Sequence, residues 1–468
     1  MGAPPGSADL RDDTIVALAT APGRGALAMV RLSGPSAATL AARCLTLTHG
    51  TWPPPPRRAV RARLHHADDP ARPLDDALVT WFPGPRSFTG EDLVECSVHG
   101  GAYVGPAVVA ALVAAGARPA LPGEFTERAV WHGSLDLVRA EAIGALIDAR
   151  TTAAHRAALQ QLDGALTRHL EALRSAILDV EALIAYDLDF PMEDDGPLPR
   201  ARVLAAADTA HTALARLLDT RPQAVLGRDG VTVVLAGPPN AGKSSLFNAL
   251  LGESRAIVSE VPGTTRDAIE VLIDDTPWPI RLVDTAGLRE AGDALERLGM
   301  EVSAQRLATA QVVVVCAETR DGLTTAATQI GGLTNAHAVG ALTKQDVETA
   351  PTASVATSGA LTTVVAVSAV TGAGLGVLRE AIRTAVRAST PEPTESLPVV
   401  VQARHTVMLE TARAELEAFR GAWAEDALPA PVAATHLRAA AHALDELLGA
   451  IDVEEVLTRV FRTFCVGK

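Results

Sequence analysis

Residues 237–245 read GPPNAGKSS, which fits the spacing GxxxxGK[ST]. In a loop of that spacing the glycines let backbone N–H groups curl around phosphate oxygens. Lys243 then reaches the β- and γ-phosphates, and Ser244 offers a hydroxyl to Mg²⁺. Asn240, Ala241, Gly242 and Ser245 complete the cradle. A Gly-rich turn can match by chance, but an apolar strand precedes this loop and a helical stretch follows it. Further on, DTAG (Asp284, Thr285, Ala286, Gly287) closes another apolar run. An acid there can hold Mg²⁺ through water, and Gly287 offers an N–H to the γ-phosphate. Between the two lies a loop containing Ser259, Glu260, Val261, Pro262, Gly263, Thr264 and Thr265. Thr265 can ligate Mg²⁺ only while a γ-phosphate is present, which makes an order–disorder switch.

Two later motifs read the base. In TKQD (Thr343, Lys344, Gln345, Asp346) the carboxylate of Asp346 can accept two hydrogens from the guanine edge. Adenine does not present that edge, so the ligand is expected to be GTP. SAVTG, with Ser368, Ala369 and Val370, follows the last strand and can touch the base through its backbone. Two positions depart from the usual GTPase pattern. Thr343 stands where Asn is usual, with a shorter side chain and one donor, so guanine specificity is expected to rest on Asp346. Leu288 stands after DTAG, where Ras-type GTPases carry a Gln that orients water. Leucine cannot do this. Glu296 is the candidate base or water-orienting group, although by type alone it reads as an exposed helical glutamate.

The elements that must position these residues follow from hydrophobic period. From 231, the strands VTVVLAG, IRLVDTAG, QVVVVCAE, AVGALTK and TVVAVSA alternate with helical stretches, as in a parallel sheet covered on both faces. Cys316, in QVVVVCAE, reads as a buried strand thiol. This doubly wound domain ends with the helix LGVLREAIRTAVR and the linker STPEPTESLP. Upstream, Leu159, Leu162, Leu166, Leu170, Leu173, Ile177, Val180 and Ile184 recur every three or four residues, which predicts one helix stripe facing a bundle core. DLDFPMEDDGPLP interrupts the helices, and helical period returns in HLRAAAHALDELLGAI near the end. The simplest topology inserts the nucleotide domain into a helical domain. Residues 14 to about 120 alternate apolar runs with Gly/Pro turns, with a helix in PAVVAALVAAGA ending at Gly116, and predict an α+β domain. The expected boundaries are 1–125, 126–228, 229–388 and 389–468, the second and fourth being the helical segments.

Composition narrows the class. The 468 residues suit about three domains. No run is long and apolar enough for a membrane span, and the start MGAPPGSADLRDD lacks a signal-peptide pattern, so a cytoplasmic protein is expected. Cys44, Cys96, Cys316 and Cys465 are far apart, which signals neither a zinc site nor a disulfide framework. A net charge of −14 argues against a broad electrostatic grip on nucleic acid, not against a local basic patch.

From Asp13 to Lys468 the chain resembles the MnmE (TrmE) family of tRNA modification GTPases. The marks are DTIVALATAPGRGALAMVRLSG, FPGPRSFTGEDLVE, PGEFTERA, LDLVRAEAI, GPPNAGKSSLFNAL, VPGTTRD, DTAGLRE and the terminal FCVGK. The resemblance implies a homodimer through an N-terminal domain that binds a one-carbon tetrahydrofolate (5-formyl- or methylene-). It implies an FAD-containing partner, MnmG, in a heterotetramer or larger complex. Together they would add a carboxymethylaminomethyl-type group to C5 of the wobble uridine of certain tRNAs. K⁺-dependent dimerisation of the GTPase domains would activate hydrolysis. Asn240, Ser259, Val261 and Thr264 match the family's K⁺ loop, Ser244 and Thr265 its Mg²⁺ ligands, and Glu296 its catalytic glutamate. Arg31, Glu95 and Lys468 match folate-binding positions, while Ser134 stands where the family carries Lys. Cys465, near the chain end, becomes a candidate nucleophile or acid. Two other classes compete: a ribosome-assembly-type regulatory GTPase, and a folate-dependent methyltransferase with a passenger GTPase domain.

Overall fold

The computed structural model describes residues 13–189, 199–252, 256–257, 269–284, 306–346, 361–392, 397–425, 427–449 and 464–467. The chain forms two compact units, one of residues 1–144, 161–207 and 414–468, the other of 145–160 and 208–413.

The first unit is built on strands β1 (Ile15–Leu18), β2 (Leu27–Ser33), β3 (Leu45–Leu47), β4 (Val60–His65), β5 (Pro73–Phe82), β6 (Leu93–His99) and β7 (Arg118–Pro119). They form one seven-stranded sheet in the order β3-β4-β5-β6-β2-β1-β7, antiparallel except for the β1–β7 pair. Period-2 alternation turns Val16, Val30, Leu32, Val94 and Cys96 toward helices α1 (Ala37–Cys44) and α2 (Val104–Ala114). The opposite face carries Ile15, Ala17 and Leu93, with Phe125 of α3 (Glu124–Trp131) packed against them. Helix α4 (Leu137–Asp148) follows.

The single leucine stripe expected from 159 to 184 is two helices, α5 (Thr152–Leu162) and α6 (Ala165–Asp189). They are parted at Gly164, whose φ is +79°. Leu159 is exposed, while Leu166, Leu170, Leu173, Ile177, Val180 and Ile184 are buried on α6. Periodicity reads through such a break because the left-handed residue shifts the register by only a few positions. Within the first unit, α6 packs along Ala430–Leu448 near the chain end. Arg174 pairs with Asp445 there, and Arg438 with Glu181.

Helix α7 (Arg200–Leu218) enters the second unit from residue 208, and α8 (Arg221–Asp229) leads on to β8 (Val231–Ala236) and α9 (Lys243–Gly252). Strands β9 (Ala256–Ile257), β10 (Ile269–Ile273), β11 (Ile280–Asp284), β12 (Val312–Ala317), β13 (His337–Leu342) and β14 (Thr363–Ala366) join β8 in the order β14-β13-β12-β8-β11-β10-β9. The five strands expected from the apolar runs are all parallel neighbours. The sheet is nevertheless mixed, because β10 and β9 add an antiparallel edge. A loop of only residues 274–279 joins β10 to β11, too short for the crossover a parallel pair needs. Val231, Val233 and Leu235 face α9 and α11 (Leu375–Ser389), and Val234 and Ala236 face α10 (Arg320–Gly331). Both faces are therefore covered. Cys316 is fully buried, and burial pushes its thiol up to about 12. Helix α12 (Ala403–Ala424) and α13 (Ala430–Leu448) end the described helices.

Candidate functional site

The phosphate loop begins where β8 ends. At Gly237 φ is +141°, and a Cβ would lie 2.2 Å from the Cys316 carbonyl oxygen, so only glycine fits. That close approach to β12 lets the chain reach α9 within a few residues. Asn240 and Gly242 are also left-handed, at φ +60° and +75°. Left-handed residues in such a turn point successive N–H groups into an anion-binding concavity. The N-terminus of α9 adds its partial positive charge. Lys243 is buried, and its Nζ donates to the carbonyls of Gly237 at 3.1 Å and Pro238 at 2.8 Å. The ammonium is thus held over the loop. Ser244 and Ser245 are exposed on the first turn of α9, and Ala241 is buried. Asp284 is buried at the end of β11 and lies in register with Leu235 of β8, level with the start of the loop.

Thr343 does something the sequence does not reveal. It is buried, and its Oγ1 lies 2.8 Å from the Ala241 carbonyl and 3.2 Å from the Ala317 carbonyl. It ties the TKQD segment to the GPPNAGKSS loop. Lys344, at φ +59°, pairs with Glu318 at 2.5 Å; both are about half exposed, so the pair adds little stability. Gln345 Nε2 donates to the Thr343 carbonyl at 3.1 Å. Asp346 is exposed, and its Oδ1 accepts from Ser368 Oγ at 2.8 Å. Ser368 is buried and in turn accepts from the Thr371 N–H at 3.1 Å. TKQD and SAVTG are therefore joined, and the bond aims the Asp346 carboxylate. Ala369 is half-buried and Val370 exposed.

The first unit holds the second group of expected residues. Arg31 and Glu95 sit directly opposite each other on β2 and β6. Arg31 Nε donates to Glu95 Oε1 at 2.9 Å, and the guanidinium lies 5.7 Å from the centre of the Phe88 ring. The chain end comes to the same sheet. The Gly123 N–H donates to the Cys465 carbonyl at 3.3 Å, and Val466 forms a bridge with Pro122. At Gly467 φ is +94°, and a Cβ would lie 2.6 Å from the Leu18 carbonyl oxygen. Leu18 follows Ala17, which pairs with Arg31, so the terminal segment runs beside the strand next to the Arg31–Glu95 pair. Cys465 is exposed, unlike Cys44, Cys96 and Cys316. Ser134 is exposed as well.

Beneath this surface is a charge network that sequence reading missed. Arg128 of α3 is fully buried. It donates to the Asp13 carbonyl at 2.7 Å and carboxylate at 2.5 Å, to Glu124 at 3.0 Å and to Glu91 at 3.2 Å. Arg118 pairs with Asp13, and with Glu124 at 2.5 Å. Glu91 also accepts from Ser33 at 3.0 Å. Burial alone raises the Asp13 pKa, but the hydrogen bonds from Arg118 and Arg128 outweigh it and hold the carboxyl below its usual value. The only sequence signal was the i, i+4 pair Glu124 and Arg128 in GEFTERA.

Two family models match: "GTP-binding protein TrmE N-terminus" over residues 14–134, and "MnmE helical domain" over residues 137–465. A tRNA modification GTPase MnmE from Methylobacterium sp. (strain 4-46) is 44% identical over 97% of this chain and 100% of the relative. The chain belongs to the MnmE family of tRNA modification GTPases. The protein of that name from Aquifex aeolicus (strain VF5) is 36% identical, again over 97% of this chain and 100% of the relative. The G domain of the T. maritima FeoB iron transporter aligns at 26% identity with a TM-score of 0.24, over 34% of this chain and 99% of that chain.

Several expected residues lie outside the described residues: Ser259, Glu260, Val261, Pro262, Gly263, Thr264, Thr265, Thr285, Ala286, Gly287, Glu296 and Lys468. Of the expected K⁺ loop, only Asn240 is described. The described donors fit the few oxygen ligands that Mg²⁺ takes from protein. Ser244 supplies a hydroxyl and Asp284 a carboxylate, and no cluster of three or more His, Cys, Asp or Glu side chains able to hold a metal occurs among the described residues. No helix among the described residues is long and apolar enough to cross a membrane.

Proposed function

We propose that this chain is a GTP hydrolase that serves tRNA modification. The observation that carries the reading is the pairing of two sites in one family member. One is a phosphate loop beside an exposed Asp346 carboxylate held by Ser368; the other is a sheet bearing Arg31 and Glu95 on which the Cys465 segment is seated. A regulatory GTPase needs only the first. The finer roles are proposed as follows. Ser244 and Thr265 hold Mg²⁺, and Asn240, Ser259, Val261 and Thr264 hold K⁺. A monovalent cation beside the phosphates would offset charge developing on the leaving group, as an arginine finger does. Glu296 orients the attacking water. Arg31, Glu95 and Lys468 bind a one-carbon tetrahydrofolate, with the Glu95 carboxylate suited to the two-donor edge of a pterin. Cys465 acts as nucleophile or acid on the modification side. Residues 1–125 form the folate-binding and dimerisation domain, 229–388 the GTPase domain, and 126–228 with 389–468 the helical domain. The chain works as a homodimer with an FAD-containing partner, adding a carboxymethylaminomethyl-type group to C5 of the wobble uridine.

Reconstitution with the FAD partner, tRNA, GTP and a folate one-carbon donor tests this, read out by mass spectrometry of tRNA nucleosides. Modified wobble uridine that requires GTP is the expected result. Unaltered wobble uridines, in this assay or in comparing a deletion strain with its parent, would remove the tRNA role. Hydrolysis should run faster in K⁺ than in Na⁺ at matched ionic strength, and equal rates would contradict the Asn240 assignment.

A further inference from the structure

The buried network and the terminal segment meet at one turn. Glu124 Oε1 is gripped by Arg128 at 3.0 Å and by Arg118 at 2.5 Å. Its Oε2 accepts the Leu121 N–H at 2.7 Å and an Arg118 N–H at 3.1 Å. Glu124 thereby pins residues 121–123 to the protein. Those residues supply the Gly123 N–H to Cys465 and the Pro122 bridge to Val466. The other arm of the network runs toward the Arg31–Glu95 pair. Arg128 holds Glu91 at 3.2 Å, and Glu91 holds Ser33 at 3.0 Å, two residues along β2 from Arg31. Ser33 lies 2.7 Å from Thr89, next in sequence to the Phe88 ring beside the Arg31 guanidinium.

One fully buried guanidinium therefore braces both the turn that seats the chain end and the loop beside Arg31. A charge that deep persists only when paired and hydrogen-bonded, and every carboxylate around it is committed to a backbone or side-chain partner. We infer that Glu124 and Arg128 are positioning residues, which hold the Cys465 segment in register with the Arg31–Glu95 pair without touching substrate. The consequence for tRNA rests on the role proposed for Cys465; the seating of the segment does not.

The test compares Glu124→Gln with Gly467→Ala in the full chain. Glutamine keeps the size of the side chain but loses the charge that both arginines hold. Gly467→Ala leaves the network whole and blocks the seat directly, because its Cβ would meet the Leu18 carbonyl. Hydrogen exchange of residues 119–123 and 464–467 is followed by mass spectrometry, with the β2 and β6 peptides of the same sheet as the folding control. With those controls still protected, Glu124→Gln should exchange about tenfold faster at the turn and chain end, the size expected for losing one charge-assisted hydrogen bond, and Gly467→Ala should exchange faster at the chain end while Leu121 keeps its Glu124 partner. GTP hydrolysis should be unchanged, and tRNA modification with the FAD partner should fall about tenfold. Unchanged exchange at 119–123 and 464–467 in Glu124→Gln overturns the positioning role, whatever modification does. So does loss of β2 and β6 protection in Glu124→Gln while Gly467→Ala keeps it, since the network would then be holding the sheet. Faster exchange with full modification supports the positioning role and overturns the role of Cys465.

Discussion

Removing one hydroxyl tests how the nucleotide site is held together. Thr343→Val keeps the shape of the side chain and deletes the Oγ1 that lies 2.8 Å from the Ala241 carbonyl and 3.2 Å from the Ala317 carbonyl. The hydroxyl has a single hydrogen, so the shorter contact is the principal bond and the longer one shares it. The Ala317 carbonyl also accepts the Thr343 N–H at 2.9 Å and keeps that partner in the variant. The loss is therefore one hydrogen bond, about 1 kcal/mol, rising to about 2 kcal/mol if the Ala241 carbonyl is left poorly solvated. Ala241 lies inside the phosphate loop, so the tether stabilises the form of the loop that binds phosphate. GTP affinity should fall roughly 5–30-fold. Thr343→Ser, which retains the hydroxyl, should stay within about threefold of the parent. Titration with a fluorescent GTP analogue measures both. Equal affinities for Thr343→Val and the parent would show that the loop holds its shape without this bond.

Three other outcomes are expected. Asp346→Asn should shift preference from guanosine toward xanthosine nucleotides in competition binding, because the exposed carboxylate oriented by Ser368 is the group proposed to read the base edge; unchanged GTP preference would refute that role. A thiol reagent should label one cysteine per native chain quickly and none in Cys465→Ser, since burial pushes Cys96 and Cys316 up to about 12 and also raises Cys44. Two fast thiols would contradict the buried positions. The lowered pKa of Asp13 contributes stability that is present above its ordinary value of 3.8 and is lost as pH falls through the lowered folded value. Denaturant titrations of Asp13→Asn should therefore show a lower plateau at neutral pH and a flatter acid limb than the parent, and parallel acid limbs would exclude Asp13 as a contributor.

Much of the second unit could be read directly from the chain. Val312–Ala317 is buried on both faces, and such a strand appears in sequence as an unbroken apolar run. Asp284 closes β11, Thr343 directly follows β13 with Asp346 just beyond it, and Lys243 opens α9 after the loop that follows β8, so the ends of parallel strands bring the motifs together. The β9–β10 edge was not legible. Ala256–Ile257 is two residues long, and Ile269–Ile273 contains Glu270, so neither carries a distinctive period. The break at Gly164 was missed for a related reason. A single glycine inside a leucine repeat lowers helix propensity without cancelling the repeat, and only its left-handed φ shows that the chain turns there.

The first unit shows a different limit. Arg31 and Glu95 could be proposed from motif resemblance, yet the residues that brace them could not. Asp13 meets Arg118 and Arg128 across 105 and 115 positions of sequence, and Glu91 meets Arg128 across 37. In a linear reading each of these charges counts as a solvated surface group, because that is where most charges lie. What changes their meaning is desolvation. Once Arg128 is removed from water, three carboxylates must arrange themselves around it and its neighbour Arg118. The backbone segments they hold, the residues before β1, the loop before β6 and the turn before α3, then lose their freedom to move independently. The terminal Cys465–Gly467 segment uses one of those segments as its seat. The chemistry proposed at the end of the chain thus depends on a charge buried more than 300 residues earlier, a dependence that hydrogen exchange can detect and residue spacing cannot.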